Sequence, residues 1–526
     1  MRIERREFLG IAAVAAAGFA INGKASAQDR LLELTERSVS ELAGMMASGK
    51  TTSVAITAGY LARIRSIDKK LNSIIELNPD ALAIARERDA ERRNNKLKGP
   101  LHGIPFLIKD NIDTADKMKT TAGSLALIDA PAPKHDAFIV EQLREAGAVL
   151  LGKTNLSEWA NFRDGSASSG WSGRGGQTHN PYILDRNPCG SSSGTGAAIA
   201  ASLAAIGIGT ETDGSIVCPS SICGIVGIKP TVGLVSRSGI IPISASQDTA
   251  GPMCRSVADA ALVLSAITGV DPRDPATAAS VGKFRRDYQT SLDVNGLKGA
   301  RIGVARDYWE KRAEVDTVMN AALAAMKAAG AELIDVKFPN LTKFGDAEFI
   351  VLQYEFKDGL HKYLAERGSQ YKTLDDLVKF NNANADRELS IFKQRIFESS
   401  AKKGGLSEKE YTDALETCRK YAREEGIDKV MGDNRLDAVV APSNSPTWLT
   451  DHINGDCFSN YVDSSTMPAV AGYPNITVPA GFVKELPVGI SFFGRAWSEA
   501  TLIKIAYAFE QATKVRRVPK YLASAS

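Results

Sequence analysis

Histidine is scarce in this sequence, with five in 526 residues. The five are scattered, and none stands at a metal-ligand spacing, so a zinc centre is not expected. Six cysteines in so long a chain are too few for a disulfide scaffold. No apolar run reaches the ~20 residues that a membrane-spanning helix needs. An excess of one charge is missing too, since 64 basic residues face 61 acidic ones. Nucleic-acid binding by phosphate neutralisation is therefore not expected. What remains is ordinary globular composition, 44% hydrophobic and 24% charged. The length allows about three or four domains at ~150 residues each, but large α/β enzymes often run longer as one unit.

The first 27 residues read as an address. Residues 1–6 are basic and carry the pair Arg5-Arg6. Residues 8–21 are apolar, diluted with Ala and Gly, and Ala25-Ser26-Ala27 fits the small-residue cleavage rule. Arg5-Arg6-Glu7-Phe8-Leu9 resembles the twin-arginine export signal, whose cargo crosses the membrane folded. The other reading, an amphipathic first helix, needs a polar face that residues 9–21 lack. The expectation is an exported protein, periplasmic or secreted, with a signal at 1–27 and one domain over 28–526. No stable membrane anchoring is expected once the signal is gone. Its removal leaves a net charge of +1, which implies no charged partner.

Alternating patterns fill the rest of the chain. Residues 36–98 read as helical, with Ile56, Tyr60, Ile64 and Ile67 at helical spacing. Strands are expected at 103–108, 148–151, 206–208, 225–228, 301–305, 332–338, 437–441 and within 475–493. Helices are expected at 135–146, 197–205, 255–268 and 498–513. Residues 344–430 are mostly helical, charged and poor in Gly and Pro, and read as a solvated helical insertion at about 340–435, at the rim of a substrate pocket. The fold class is α/β, a layered sandwich with a central mixed sheet covered by helices.

Residues 165–239 differ from everything else. They hold 15 glycines, a third of the total, and 13 serines. A flexible linker shares that composition, but here polar loops alternate with apolar runs that must be buried. Gly190-Ser191-Ser192-Ser193-Gly194-Thr195-Gly196 leads into a helix of small residues. Thr210-Glu211-Thr212-Asp213-Gly214-Ser215 follows a strand, and such a turn can aim several N–H groups at developing negative charge.

Three mechanisms compete for these serines. A phosphate loop needs a lysine after Gly194 or Gly196, and there is none. A nucleophile elbow matches Gly-x-Ser-x-Gly centred on Ser192, but no strand precedes it and only His361 and His452 lie downstream. The third is a serine served by a lysine whose pKa burial has lowered. Lys109 ends the apolar run Ile104-Pro105-Phe106-Leu107-Ile108, so burial of its stem is expected. The Ser-x-x-Lys pairs Ser66/Lys69 and Ser399/Lys402 lie in charged helical stretches without companion motifs and are background.

These motifs resemble the amidase signature family. The resemblance rests on the 190–194 segment, on Gly209 through Ile216, and on Cys223-Gly224-Ile225-Val226-Gly227-Ile228-Lys229-Pro230-Thr231. It extends to Gly103-Ile104-Pro105, Lys109-Asp110, Asp248-Thr249-Ala250-Gly251-Pro252, and the C-terminal 474–481 and 486–490. It implies hydrolysis of amide bonds by a serine–serine–lysine triad, without cofactor or metal. By motif position, Ser215 is the nucleophile, Ser191 the bridging serine on a cis peptide bond, and Lys109 the base. The N–H groups of Thr212, Asp213, Gly214 and Ser215 are the implied oxyanion hole, and Gly190 and Ser192 support the loop.

The sequence also departs from the family pattern. Glu211 and Asp213 replace the commoner Asp and Gly, and Asp213 puts a carboxylate close to the developing charge. Both resemble the branch containing bacterial peptide amidase, which removes the C-terminal amide of peptides. The leading expectation is an exported amidase acting on small or peptide amides. The alternatives are an amidotransferase-type subunit of the same family and a non-catalytic periplasmic binding protein. Taken singly, Lys109 reads as a solvated lysine and either serine as turn chemistry. Cys189 reads as a small apolar filler, and no pairing follows for Cys218 or Cys223. Neither the acyl group nor the oligomeric state follows from the sequence.

Overall fold

The computed structural model describes residues 34–525. The export signal expected at 1–27 lies outside them. Eleven strands form one mixed sheet. The first strands are β1 (Ile74–Leu77), β2 (Pro105–Lys109) and β3 (Val149–Thr154), followed by a two-stranded ribbon of β4 (Trp171–Ser172) and β5 (Gly176–Gln177). Then come β6 (Ile206–Glu211), β7 (Val226–Lys229), β8 (Thr249–Cys254), β9 (Arg301–Ala305) and β10 (Glu332–Val336). The last are β11 (Ala438–Pro442), β12 (Asn475–Val483) and β13 (Leu486–Phe493). Their order across the sheet is β1-β3-β2-β6-β8-β7-β12-β13-β11-β9-β10. β2 runs parallel to β3 and β6, and β9 parallel to β10 and β11, while the middle of the sheet is antiparallel.

Every residue of β2, β3, β6 and β8 is buried. A strand buried on alternate residues of both kinds is covered on both faces. The Ser193–Ala200 helix packs on β6, Val257–Ile267 on β8, and Ala313–Ala328 and Glu499–Thr513 on β12. This is the α/β layered sandwich with a mixed central sheet that the alternating patterns implied. Among the described residues no helix is long and apolar enough to cross a membrane.

Two local expectations are corrected. The 36–98 span is three helices, Val39–Ala47, Ser53–Leu71 and Ala81–Arg93, interrupted by β1. Asn72, in the left-handed region at φ 51°, ends the second helix, and the chain then extends along β3. β8 was unforeseen because its sequence, Thr-Ala-Gly-Pro-Met-Cys, contains Gly251 and Pro252. Proline is tolerated in this inner strand because β7 pairs with β8 only at Met253 and Cys254, beyond it.

The chain from 345 to 434 is helical, with Gly345–Arg367 its longest element. It packs on the core of the sheet through Val351, Tyr354, Tyr411 and Met431, and on a second apolar cluster as well. Phe356, Leu360, Leu364 and Phe397 meet Trp159, Phe162, Ile241 and Ile243 there.

Candidate active site

β2 and β6 lie side by side and parallel, so their carboxyl ends open at the same edge of the sheet. That edge is where open α/β sheets bind ligands. β2 delivers Lys109 there, and β6 delivers Thr210 and Glu211. Lys109 is fully buried. Its Nζ lies 2.7 Å from Ser191 Oγ, 2.9 Å from Thr210 Oγ1 and 3.3 Å from the Thr210 carbonyl. Ser191 Oγ lies 2.9 Å from Ser215 Oγ. Ser191 is sealed, whereas Ser215 is 7% exposed. The three residues form one hydrogen-bonded line from a buried amine to a hydroxyl at the surface of the cleft.

Burial pulls the Lys109 ammonium down to about 7, against the opposing attraction of Asp248 and Glu211. A neutral amine is therefore available near neutral pH. With Nζ neutral, the Ser191 hydroxyl can donate to it, and the Ser215 hydroxyl to Ser191. That arrangement can draw a proton from Ser215 and return it to a leaving group.

The loop that carries Ser191 has little freedom. Ser191 follows a cis peptide bond after Gly190. A Cβ on Gly190 would lie 2.1 Å from Ser157 Oγ, so only glycine fits. Ser192 Oγ donates to the Thr210 carbonyl at 3.1 Å and accepts the Thr210 N–H at 3.2 Å. The Ser192 N–H donates to the Ser215 carbonyl at 3.2 Å. Ser192 thus ties the loop to β6, and its hydroxyl is occupied by backbone. The two downstream histidines are engaged elsewhere, His361 accepting from the Leu374 N–H and His452 beside Gln177.

Among the described residues none of the N–H groups of Thr212, Asp213, Gly214 and Ser215 has an acceptor. Gly214 sits at φ 75°, and a Cβ there would also meet Ser465 Oγ at 3.0 Å. Side chains hold the turn from outside. Glu211 accepts the N–H groups of Ile216 at 2.6 Å and Val217 at 2.9 Å. Asp248 accepts Thr212 Oγ1 at 2.6 Å and the N–H groups of Ile243 and Ser244 at 2.7 and 2.8 Å. Gln247 Nε2 donates to the Thr212 carbonyl at 3.3 Å and to Glu348 Oε1 at 2.9 Å. The Asp213 carboxylate accepts from Ser465 Oγ at 2.6 Å and Thr466 Oγ1 at 2.8 Å. Two hydroxyls thus hydrogen-bond the carboxylate that the sequence set close to the implied oxyanion position, while burial pushes its pKa up.

The sequence missed several residues of this site. Thr210 and Asp248 lie inside the family motifs, but nothing in their spacing marked a role. Asn111, which donates to Thr210 Oγ1 at 3.0 Å, follows Lys109-Asp110 directly. Gln247, Ser465 and Thr466 carried no signal. Cys189 is a correction. It is bonded to Cys218 in a disulfide across 29 residues, and is not a filler. No local pattern pairs two cysteines so far apart. Beside the site a cavity of about 290 Å³ opens between Asn111, Thr210, Thr212 and Asp248 and, opposite, Glu355, Gly359 and Leu406 of the helical region.

The family model described as Amidase matches residues 55–503. A relative from Arabidopsis thaliana, described as a probable amidase, is 42% identical over 485 residues, covering 90% of this chain and 89% of its own. The native peptide amidase of Stenotrophomonas maltophilia has 49% identity and a TM-score of 0.88, with 93% of this chain and 99% of that one covered. A glutamyl-tRNA(Gln) amidotransferase subunit from Thermoanaerobacter pseudethanolicus is 34% identical across 94% of this chain and all of its own. A family match over most of the chain, reinforced by relatives aligned nearly end to end, places this protein in the amidase signature family of amide hydrolases.

Proposed function

We propose that this protein hydrolyses carboxylic amides, including the C-terminal amides of peptides, through an acyl-enzyme on Ser215. The observation that carries the reading is the line Lys109 Nζ–Ser191 Oγ–Ser215 Oγ, at 2.7 and 2.9 Å. Neutral Lys109 takes the Ser191 proton as Ser191 takes that of Ser215. The Ser215 oxygen attacks the amide carbonyl, and the 212–215 N–H groups receive the charge that develops on its oxygen. The proton returns through Ser191 to the leaving nitrogen, which departs as ammonia or an amine. Water then enters along the same path and releases the acid.

The peptide-amide substrate is supported by the likeness to the Stenotrophomonas maltophilia enzyme and by the Glu211 and Asp213 variants within the turn. Residues 1–27 support work outside the cytoplasm, in the periplasm or beyond. The test is ammonia release from a panel of amidated peptides, amino-acid amides and free glutamine. Turnover of amidated peptides with a Ser215→Ala blank is the expected result. Ammonia from glutamine alone would move the reading to the amidotransferase branch. No turnover of any amide would overturn it.

A further inference from the structure

The two serines stand on separate segments. Ser191 belongs to the loop before the Ser193–Ala200 helix, and Ser215 to the turn before Val217–Ile222. Among the described residues, three direct ties between these segments lie close to the two serines. Two are hydrogen bonds, Ser191 Oγ to Ser215 Oγ at 2.9 Å and Ser192 N–H to the Ser215 carbonyl at 3.2 Å. The third is covalent, the disulfide from Cys189, two residues before Ser191, to Cys218, three after Ser215.

Both ends of the disulfide are anchored. The Cys189 N–H donates to Asn187 Oδ1 at 2.8 Å, and the Cys189 carbonyl accepts from Ser193 Oγ. The Cys218 N–H donates to the Gly214 carbonyl at 2.7 Å, inside the turn that carries Ser215. Ile222 and Trp448 pack around the sulfurs, and Tyr461 Oη lies 3.7 Å from Cys218 Sγ. A sulfur bridge placed to brace the fold would serve at any point of it. This one spans the gap that the proton must cross.

We infer that the Cys189–Cys218 disulfide is a positioning device for the Ser191–Ser215 pair, and that turnover depends on its being formed. The inference rests on the proposed roles of those serines. A shift of about 1 Å between the segments would take the 2.9 Å contact out of hydrogen-bond range, and misplacements of that size cost up to ~10²-fold in rate. The bond from the Ser192 N–H to the Ser215 carbonyl keeps part of the alignment, so the expected loss is about tenfold. Reduction by a dithiol breaks the S–S bond with two electrons and two protons. It leaves two thiols, and the dithiol closes to its own disulfide.

The experiment uses the full chain with Cys457→Ser, which removes the exposed free thiol. Dithiothreitol is titrated onto the folded protein, the released thiols are alkylated and mapped, and kcat and KM are measured on one amide. Expected are a kcat about tenfold lower, a KM within about twofold, and slower sulfonylation of Ser215, all while the protein stays folded. Reoxidation before alkylation should restore kcat. A Cys189→Ala/Cys218→Ala protein should match the reduced form. Unchanged kcat with both thiols mapped as alkylated would overturn the inference, as would finding Cys189 and Cys218 as free thiols before any reductant. If Ser215→Ala kept its activity, the fault would lie with the serine assignment and not with the disulfide.

Discussion

Two regions meet at the cleft, and they are held in different ways. The segment from 187 to 254 is almost wholly buried, in three strands of the sheet and the helices and loops between them. Many of its polar groups bond within the segment, as where Ser192 bonds β6 and Glu211 bonds 216 and 217. The helical region from 345 to 434 packs on two apolar clusters, with Val351, Tyr354, Tyr411 and Met431 in the core of the sheet and Phe356, Leu360 and Phe397 in the second, and adds discrete polar anchors. Glu355 accepts from Ser244 Oγ, from the N–H and Oγ of Ser246, both at 2.9 Å, and from Tyr411 Oη at 2.7 Å. Arg367 pairs with Asp113 at 2.8 Å and Arg395 with Asp164 at 2.6 Å. The lesson is a division of labour. Geometry around Ser191 and Ser215 is set mainly by bonds within one stretch of chain, and the wall opposite by side chains that pack on and bond to distant segments.

The sharpest way to break this contrast is at Ser215. Ser215→Ala should lower kcat by about 10⁴-fold or more with the fold intact, as removal of a nucleophile does elsewhere. A sulfonylating reagent should attach at Ser215, and attachment at Ser192 would revive the elbow reading.

Lys109 comes next. Lys109→Arg should be nearly as damaging as Lys109→Ala, because arginine stays protonated to a pKa above ~12 and cannot serve as base. Near-wild-type kcat/KM in Lys109→Arg would exclude proton transfer. In the wild type, activity should fall as pH drops through about 7, where Lys109 gains its proton, and should stay level above it. A flat profile across that pH would show that no such group titrates.

Ser191→Ala should be milder, a loss of about 10²-fold, because water can partly replace the relay between Lys109 and Ser215. A loss equal to that of Ser215→Ala would make Ser191 indispensable to the transfer.

The smallest effect on chemistry should come from the helical side. Glu355→Ala removes a buried acceptor of four hydrogen bonds and should cost about 2–4 kcal/mol of stability. The kcat of the folded protein should change by no more than about threefold, with any remaining effect in KM. A kcat loss as large as that of Ser191→Ala would dissolve the distinction between the two regions.

Much of the fold was legible because burial writes itself into local pattern. The unbroken apolar runs of β2, β3 and β6 read as strands, and the 499–513 helix as helix, since each buries a face that its own spacing defines. β1 and β8 were illegible for the converse reason. β1 is four residues with no full burial, and β8 carries a glycine and a proline that only its neighbours excuse. At the site, Lys109, Ser191 and Ser215 were readable as motif positions. The charge of Asp213 was readable too, but its hydrogen-bonding partners were not, because Ser465 and Thr466 lie about 250 residues away.

By itself, then, the sequence determined the elements, the residue types at the cleft and the chemistry those types can perform, because each follows from propensity, period and functional group. Only the tertiary structure decided which strands lie side by side and where Asp213 points. The depth of burial that lowers the Lys109 pKa and the joining of Cys189 to Cys218 were settled there as well. The reason is physical. Hydrogen bonds, desolvation and disulfides depend on distances in space, and contacts between residues 82, 29 or 252 positions apart leave no trace in the order of neighbours.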